Sequence, residues 1–169
     1  MVDEKYVFAY FLGRNIKVRS LAEEFTHNRG YKLASIVYAS GNFTIDNAKY
    51  GDIQLIDIGP EKFISLIKHA EYVFTDSFHA VVFSTIYKKN FFVFNRNKDG
   101  SMNSRIKSIT NMFDMQERFC ATEREETLEY LNSLSEIDYD VAFPKFEKCK
   151  KESCEFIEKI IYTFNYGEA

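Results

Sequence analysis

The chain has 169 residues, a length that suits one domain with a proper core, and a formal net charge of -3. That balance argues against a general nucleic-acid binder, which would show a basic face, and leaves room only for a local cationic pocket. Aromatic residues make up 17%, with 17 Phe, 11 Tyr and no Trp, so the core is expected to be rich in phenylalanine.

Tyr6 to Leu12 is a near-continuous apolar run of strand length ended by Gly13, as expected of a strand covered on both faces of a parallel sheet. Arg14 and Asn15 lead into a helix whose apolar positions Ile16, Val18, Leu21, Ala22 and Phe25 fit a period near 3.6, closed by Gly30. Leu33 to Ala39 reads as the second strand. Ser40 to Asp52 has weak periodicity and either folds over a site or wanders. Ile53 to Ile58 reads as the third strand, and Gly59-Pro60-Glu61 starts a helix with proline and a carboxylate near its positive end.

The stretch from Glu71 to Asn95 organises the rest. Tyr72 to Phe74 is a short apolar run, Thr75-Asp76-Ser77 a polar turn, Phe78 to Ile86 a helical pattern, and Phe91 to Phe94 a second apolar run. This is a βαβ unit, whose first turn lies at the carboxyl edge of a parallel sheet, where open α/β sheets bind ligands. Asp76 or Ser77 can cap the helix, and the free N–H groups there form an anion cradle. His79 stands in the first turn, where the helix dipole disfavours an imidazolium. His27 and His69 lie near helix carboxyl ends, which favour a cation, so His79 alone lacks a structural explanation.

Arg96, Lys98, Asp99 and Gly100 form a loop at another carboxyl strand end. Asn103 to Phe113 reads as a helix with Ile106, Ile109, Met112 and Phe113 inward and Arg105 in its first turn, a placement that favours a nearby anion. Glu117 to Ala121 is a last short strand. Thr122 to Leu134 is helical with a Thr122/Glu125 capping box. Residues 1–143 are thus expected to form the Rossmann-like domain. Residues 144–169, from Pro144 onward, form an amphipathic helix with an apolar stripe of Phe146, Cys149, Phe156, Ile157, Ile160 and Ile161, expected to pack on the domain, with a membrane or partner-helix role left open.

Cys120, Cys149 and Cys154 make an odd count without metal spacing, which suits reduced thiols in a cytoplasmic protein and assigns no metal. The start, MVDEKYVFAYFLGRN, has no basic region before its apolar run and does not read as a signal peptide. No stretch approaches the ~18 apolar residues that span a bilayer. Only Gly13 follows the first strand, so the glycine fingerprint of a dinucleotide site is missing and no cofactor is expected. The fold class expected is α/β, a parallel sheet of about five strands with helices on both faces.

Several pieces of this chain resemble the polysaccharide pyruvyl transferase family. They are Gly59-Pro60-Glu61 with Phe63, Thr75-Asp76-Ser77-Phe78-His79, Phe83-Ser84, Asn103-Ser104-Arg105-Ile106, and the opening strand and turn YVFAYFLGRN. The resemblance spans roughly residues 5 to 120. It implies the carboxyl-terminal half of a two-domain GT-B-like enzyme, so an N-terminal domain or partner chain is expected to complete it. Such enzymes move a pyruvyl group from phosphoenolpyruvate to a pair of sugar hydroxyls as a ketal, in the synthesis of surface polysaccharides.

The resemblance implies His79 as the general acid. It also implies a substrate-binding set of Arg105, Arg14 and Arg96 for the anionic groups, with Ser77, Asp76, Gly59 and Glu61. Pyruvyl transferases of this kind carry an arginine two residues before the motif histidine, and here that place is Ser77, which offers a hydroxyl but no charge. Two other readings stay open. One is a GT-B glycosyltransferase half that binds a nucleotide sugar, and the other is a non-catalytic anion- or sugar-binding domain.

Overall fold

The computed structural model of the protein describes residues 4–37, 49–96 and 103–166. Six strands form one sheet: β1 (Tyr6–Tyr10), β2 (Lys32–Ile36), β3 (Ile53–Leu55), β4 (Tyr72–Thr75), β5 (Asn90–Phe94) and β6 (Phe119–Cys120). Every pairing is parallel, and the spatial order is β3-β2-β1-β4-β5-β6. The helices are α1 (Ile16–His27), α2 (Pro60–His69), α3 (Phe78–Ile86), α4 (Ser104–Met112), α5 (Leu128–Ser133) and α6 (Tyr139–Tyr166). This is a Rossmann-like α/β architecture with one strand more than the five expected.

Alternation along the strands builds two cores. Tyr6, Phe8, Val73, Phe91 and Val93 face the layer containing α2, α3 and α4. Val7, Ala9, Phe74, Phe92 and Phe94 face α1 and α5. Because both faces are covered, the strands read as unbroken apolar runs. Phenylalanine fills the second core as expected: the Phe25 ring lies 5.1, 5.0 and 5.4 Å from the rings of Tyr72, Phe74 and Phe92. Each such ring, fully buried, is worth about 1.5–3 kcal/mol relative to exposure.

Several boundaries differ from the sequence reading for identifiable reasons. β2 ends at Ile36, and residues 38–48, which hold most of the Ser40–Asp52 loop, lie outside the described residues. β3 stops at Leu55, where Ile56 turns outward and Asp57 takes a positive φ of 55°. In α4, Met112 is exposed rather than inward, and Phe113 and Met115 close the core just after the helix. The Thr122/Glu125 box does form in part, since the Glu125 carboxylate accepts the N–H groups of Ala121 and Thr122 at 2.8 Å each. It makes a single turn, and the helix starts only at Leu128 with Thr127 as its N-cap.

The carboxyl-terminal helix starts five residues before Pro144. Asp138 supplies the cap, accepting the N–H groups of Asp140 and Val141. Tyr139 anchors the entry through its hydroxyl, which donates to the Lys89 carbonyl at 2.6 Å. The packing expectation is corrected beyond Lys150. Ala142, Phe146 and Cys149 meet the core, whereas Phe156, Ile157, Ile160 and Ile161 are half or more exposed.

Asp52 ties β2 to the end of α1, accepting the Leu33 N–H at 2.7 Å and meeting His27 Nε2 at 3.1 Å. Burial alone would raise its carboxyl, but the Leu33 N–H and His27 outweigh that and hold it below the usual range. A depressed carboxylate contributes stability that is present above the unfolded value, about 3.9, and is lost as pH falls through the folded one. The melting temperature of Asp52→Asn is therefore expected to lose less below about pH 4 than that of the parent. Identical acid limbs in a thermal-unfolding series would contradict this.

Candidate functional site

Strand order reverses between β1 and β4, since β1 leads outward to β2 on one side and β4 leads outward to β5 on the other. Ligands of open α/β sheets sit outside the carboxyl ends at such a switch point. Here that edge is built by the turns after β1, β4, β5 and β6.

Asp76 is its central member. Its side chain is buried, and its two oxygens accept the N–H groups of Leu12 at 2.8 Å and Gly13 at 2.6 Å. Arg96 crosses over it, with Nη2 donating to the Asp76 carbonyl at 3.3 Å and Nε at 3.9 Å from Oδ1. Burial pushes the Asp76 carboxyl up, against the pull of the Leu12 and Gly13 N–H groups, Arg96 and Arg19. A side chain on Gly13 would place its Cβ 2.9 Å from both the Arg96 carbonyl and the Asp76 carboxylate. Glycine is required there by close approach. Asp76 thus staples the first turn to the fourth strand.

Ser77 takes the N-cap position of α3, buried, with no capping bond from its side chain. Thr75 does the local bonding instead. Its hydroxyl donates to the Tyr10 carbonyl at 2.7 Å and accepts the Ser77 N–H at 3.0 Å. Two residues later His79 is exposed, its ring edge-on to Phe78 with centroids 5.9 Å apart. The Arg105 guanidinium, from the first turn of α4, lies 5.1 Å from the same Phe78 ring. The fold therefore gathers His79 and Arg105 around one aromatic side chain.

Arg14 and Arg96 share an open cleft of about 1150 Å³ beside this edge, lined also by Gly13, Lys17, Asn95 and Glu126. Glu126 lies largely buried on its far wall, 3.8 Å from Lys17, and burial raises its carboxyl while Lys17 opposes the rise. Glu61 and Gly59 stand apart from this cleft, exposed at the start of α2. Glu61 lines a different cavity of about 1010 Å³, with Lys5, Lys32 and His69 toward the amino ends of β1 and β2. A Cβ on Gly59 would meet nothing within 4 Å.

Three contributors escaped the sequence reading. Asn95 donates to the Ala121 carbonyl at 2.6 Å and accepts from Asn103, tying the ends of β5 and β6 to the start of α4. Arg19 donates to the Gly13 carbonyl at 3.2 Å, with its guanidinium 4.9 Å from the Tyr50 ring. Neither carries a sequence signal, because both act through backbone carbonyls brought close only by the fold. Glu126 had one, as a carboxylate following a strand end, but it was absorbed into an expected helix. Among the described residues no group of three His, Cys, Asp or Glu is placed to hold a metal ion.

The sequence model of the polysaccharide pyruvyl transferase family matches residues 2–98, more than half of the chain. The chain belongs to that family. The matched residues include the Gly13 turn, Gly59-Pro60-Glu61, the Asp76-to-His79 turn and Arg96, so the family assignment and the switch-point edge rest on the same segments. Asn103 to Ile106 and the Glu126 wall of the cleft lie beyond the match. No curated protein matches the chain. Membership in a transferase family makes this a polysaccharide pyruvyl transferase-like domain, and no helix among the described residues is long and apolar enough to cross a membrane.

Proposed function

We propose that this domain takes part in transferring a pyruvyl group from phosphoenolpyruvate to two hydroxyls of a saccharide. The observation that carries the reading is the pairing of His79 and Arg105 around Phe78 at the carboxyl edge of the sheet. In this reading His79 gives a proton to the terminal carbon of the enol, which becomes a methyl group. One sugar hydroxyl adds to the resulting cation and loses its proton. The second then displaces phosphate, and the ketal closes.

The donor is a carboxylate and a phosphate on a three-carbon frame. Cations and helix N-termini are the groups that hold such a molecule. Arg105 supplies one cation, and Arg14 and Arg96 supply others from the neighbouring cleft. Ser77 holds no charge, so the weight of anion binding shifts to these arginines. The saccharide acceptor and a second, N-terminal domain or chain complete the site, as in a GT-B arrangement. A competing reading as a nucleotide-sugar-binding half draws on the size of the cleft beside the amino end of α1, which exceeds what a three-carbon donor needs.

Thermal unfolding with phosphoenolpyruvate, inorganic phosphate and nucleoside diphosphates separates these readings. At 100 times its dissociation constant a ligand adds about 2.7 kcal/mol. For a domain of this size that is a rise of roughly 5–10 °C. Phosphoenolpyruvate is expected to give this rise, phosphate to give less, and Arg105→Ala to abolish the difference. A rise with a nucleoside diphosphate alone would replace the pyruvyl reading with the glycosyltransferase one. Silence toward all of them would leave this half without a donor site of its own and refute the proposal for it.

A further inference from the structure

From Lys151 to Phe164 every described side chain of α6 is exposed, including Phe156 at 65%, Ile157 at 54%, Ile160 at 50% and Phe164 at 90%. At about 100° per residue, Phe146, Cys149, Ser153, Phe156, Ile157, Ile160 and Phe164 fall in a single stripe. The stripe begins against the domain, where Phe146 meets Phe113 at 5.7 Å, and runs on without a partner in this chain's described residues. Isolated helical segments of this length are marginal in water, and their stability comes from covering such a stripe.

Charge narrows the choice of cover. Between Glu147 and Phe164, Lys148, Lys150, Lys151 and Lys159 balance Glu147, Glu152, Glu155 and Glu158. Three pairs, Lys148 with Glu152, Lys150 with Glu147 and Lys151 with Glu155, lie within 4 Å along the exposed face. A neutral polar face has no attraction for an anionic lipid surface, whose amphipathic ligands are rich in Lys and Arg. A protein stripe of the same character is the better fit.

We propose that the stripe is covered by the same stripe of a second copy of this chain, with the two helices antiparallel. In heptad terms Phe146, Ser153 and Ile160 take the a positions, Cys149 and Phe156 the d positions, and Lys145, Glu152 and Lys159 the g positions. Antiparallel pairing sets Phe156 against Ser153 and Ile160 against Cys149 of the other copy. A large side chain meets a small one at each layer, and the two-fold axis repeats every contact. It also sets Glu152 opposite Lys159 of the other copy, twice.

A parallel pair would do the reverse. Phe156 would meet Phe156, Ser153 would meet Ser153, and Lys145 would face Lys150 of the other copy. Size and charge both select the antiparallel register. The inference does not depend on the transferase reading, because no residue of the stripe belongs to the carboxyl edge of the sheet.

Light scattering and sedimentation of the full chain at tens of micromolar are expected to give twice the 19.8 kDa protomer mass. Ile157→Glu with Ile160→Glu is expected to give a monomer that retains the α/β circular dichroism spectrum. The register is read separately in a Cys154→Ser background. Under mild oxidation Ile160→Cys should form a covalent dimer through Cys149, and adding Cys149→Ser should abolish it. A monomeric parent chain would overturn the proposal. So would a covalent dimer of Ile160→Cys that survives the loss of Cys149, since only a parallel pair joins position 160 to itself.

Discussion

Replacing His79 with alanine is expected to slow the proposed pyruvyl transfer by about 10²–10⁴-fold, the usual contribution of a positioned general acid, while leaving the fold intact. The structural half of that expectation follows from exposure. His79 stands in solvent with its ring edge-on to Phe78, so its loss should cost no more than the ~0.5 kcal/mol typical of surface positions. The chemical half follows from the proposed donor, phosphoenolpyruvate. The terminal enol carbon cannot take a proton from an arginine, and Asp76, the nearest carboxyl in the motif, has both oxygens engaged by backbone N–H groups. Steady-state phosphate release, beside a melting curve of the same preparation, checks both. A His79→Ala enzyme that keeps more than about a hundredth of the parent rate has lost less than the 10²-fold minimum and would move the acid elsewhere. Glu126, with its carboxyl raised by burial, would be the first alternative to examine.

Much of the scaffold was legible in the chain because parallel strands covered on both faces leave a plain trace. The runs at Tyr6–Tyr10, Tyr72–Thr75 and Asn90–Phe94 carry apolar residues at successive positions, and each gave its strand within two residues. The turn at Asp76 was legible as a turn at the carboxyl edge of the sheet, but its bonding was not. The sequence offers Asp76 and Ser77 as equivalent helix caps, and the fold uses neither in that way. Asp76 reaches across to the Leu12 and Gly13 amides, 64 and 63 residues away in sequence, and no local pattern encodes a bond of that span. The carboxyl-terminal helix was legible only in part, for a different reason. Its periodicity records that an apolar stripe exists, and it is silent on whether the same chain covers it. Glu61 lies within the family match and lines a cavity separate from the Arg14 and Arg96 cleft, a separation that no local sequence pattern encodes.

Asp76→Ala should be among the most damaging single substitutions at this edge, because both carboxylate oxygens are engaged by backbone N–H groups. It would leave two backbone N–H groups without acceptors and Arg96 without its counter-charge. Unsatisfied buried groups cost about 1–3 kcal/mol each, so a loss of roughly 3 kcal/mol is expected. At ~2–4 °C per kcal/mol for a chain of this size, the melting temperature should fall by about 6–12 °C. Asp76→Asn should fall between the parent and alanine, since one amide oxygen can still accept while the NH₂ group confronts the other donor. Hydrogen exchange gives the site-specific reading: the Leu12 and Gly13 amides should lose protection in both variants, whereas the β4–β5 amides should change only with global stability. A melting temperature unchanged within 1–2 °C would mean that the first turn is held by something other than this carboxylate. If the fall occurs together with loss of the phosphoenolpyruvate response, a Gly13→Ala variant distinguishes a lost staple from a lost ligand contact. Its Cβ would press on the Arg96 carbonyl and the Asp76 carboxylate at 2.9 Å without removing any charge. A matching loss of response there would assign Asp76 the role of setting the position of Arg96 at the edge where the anion is to be held.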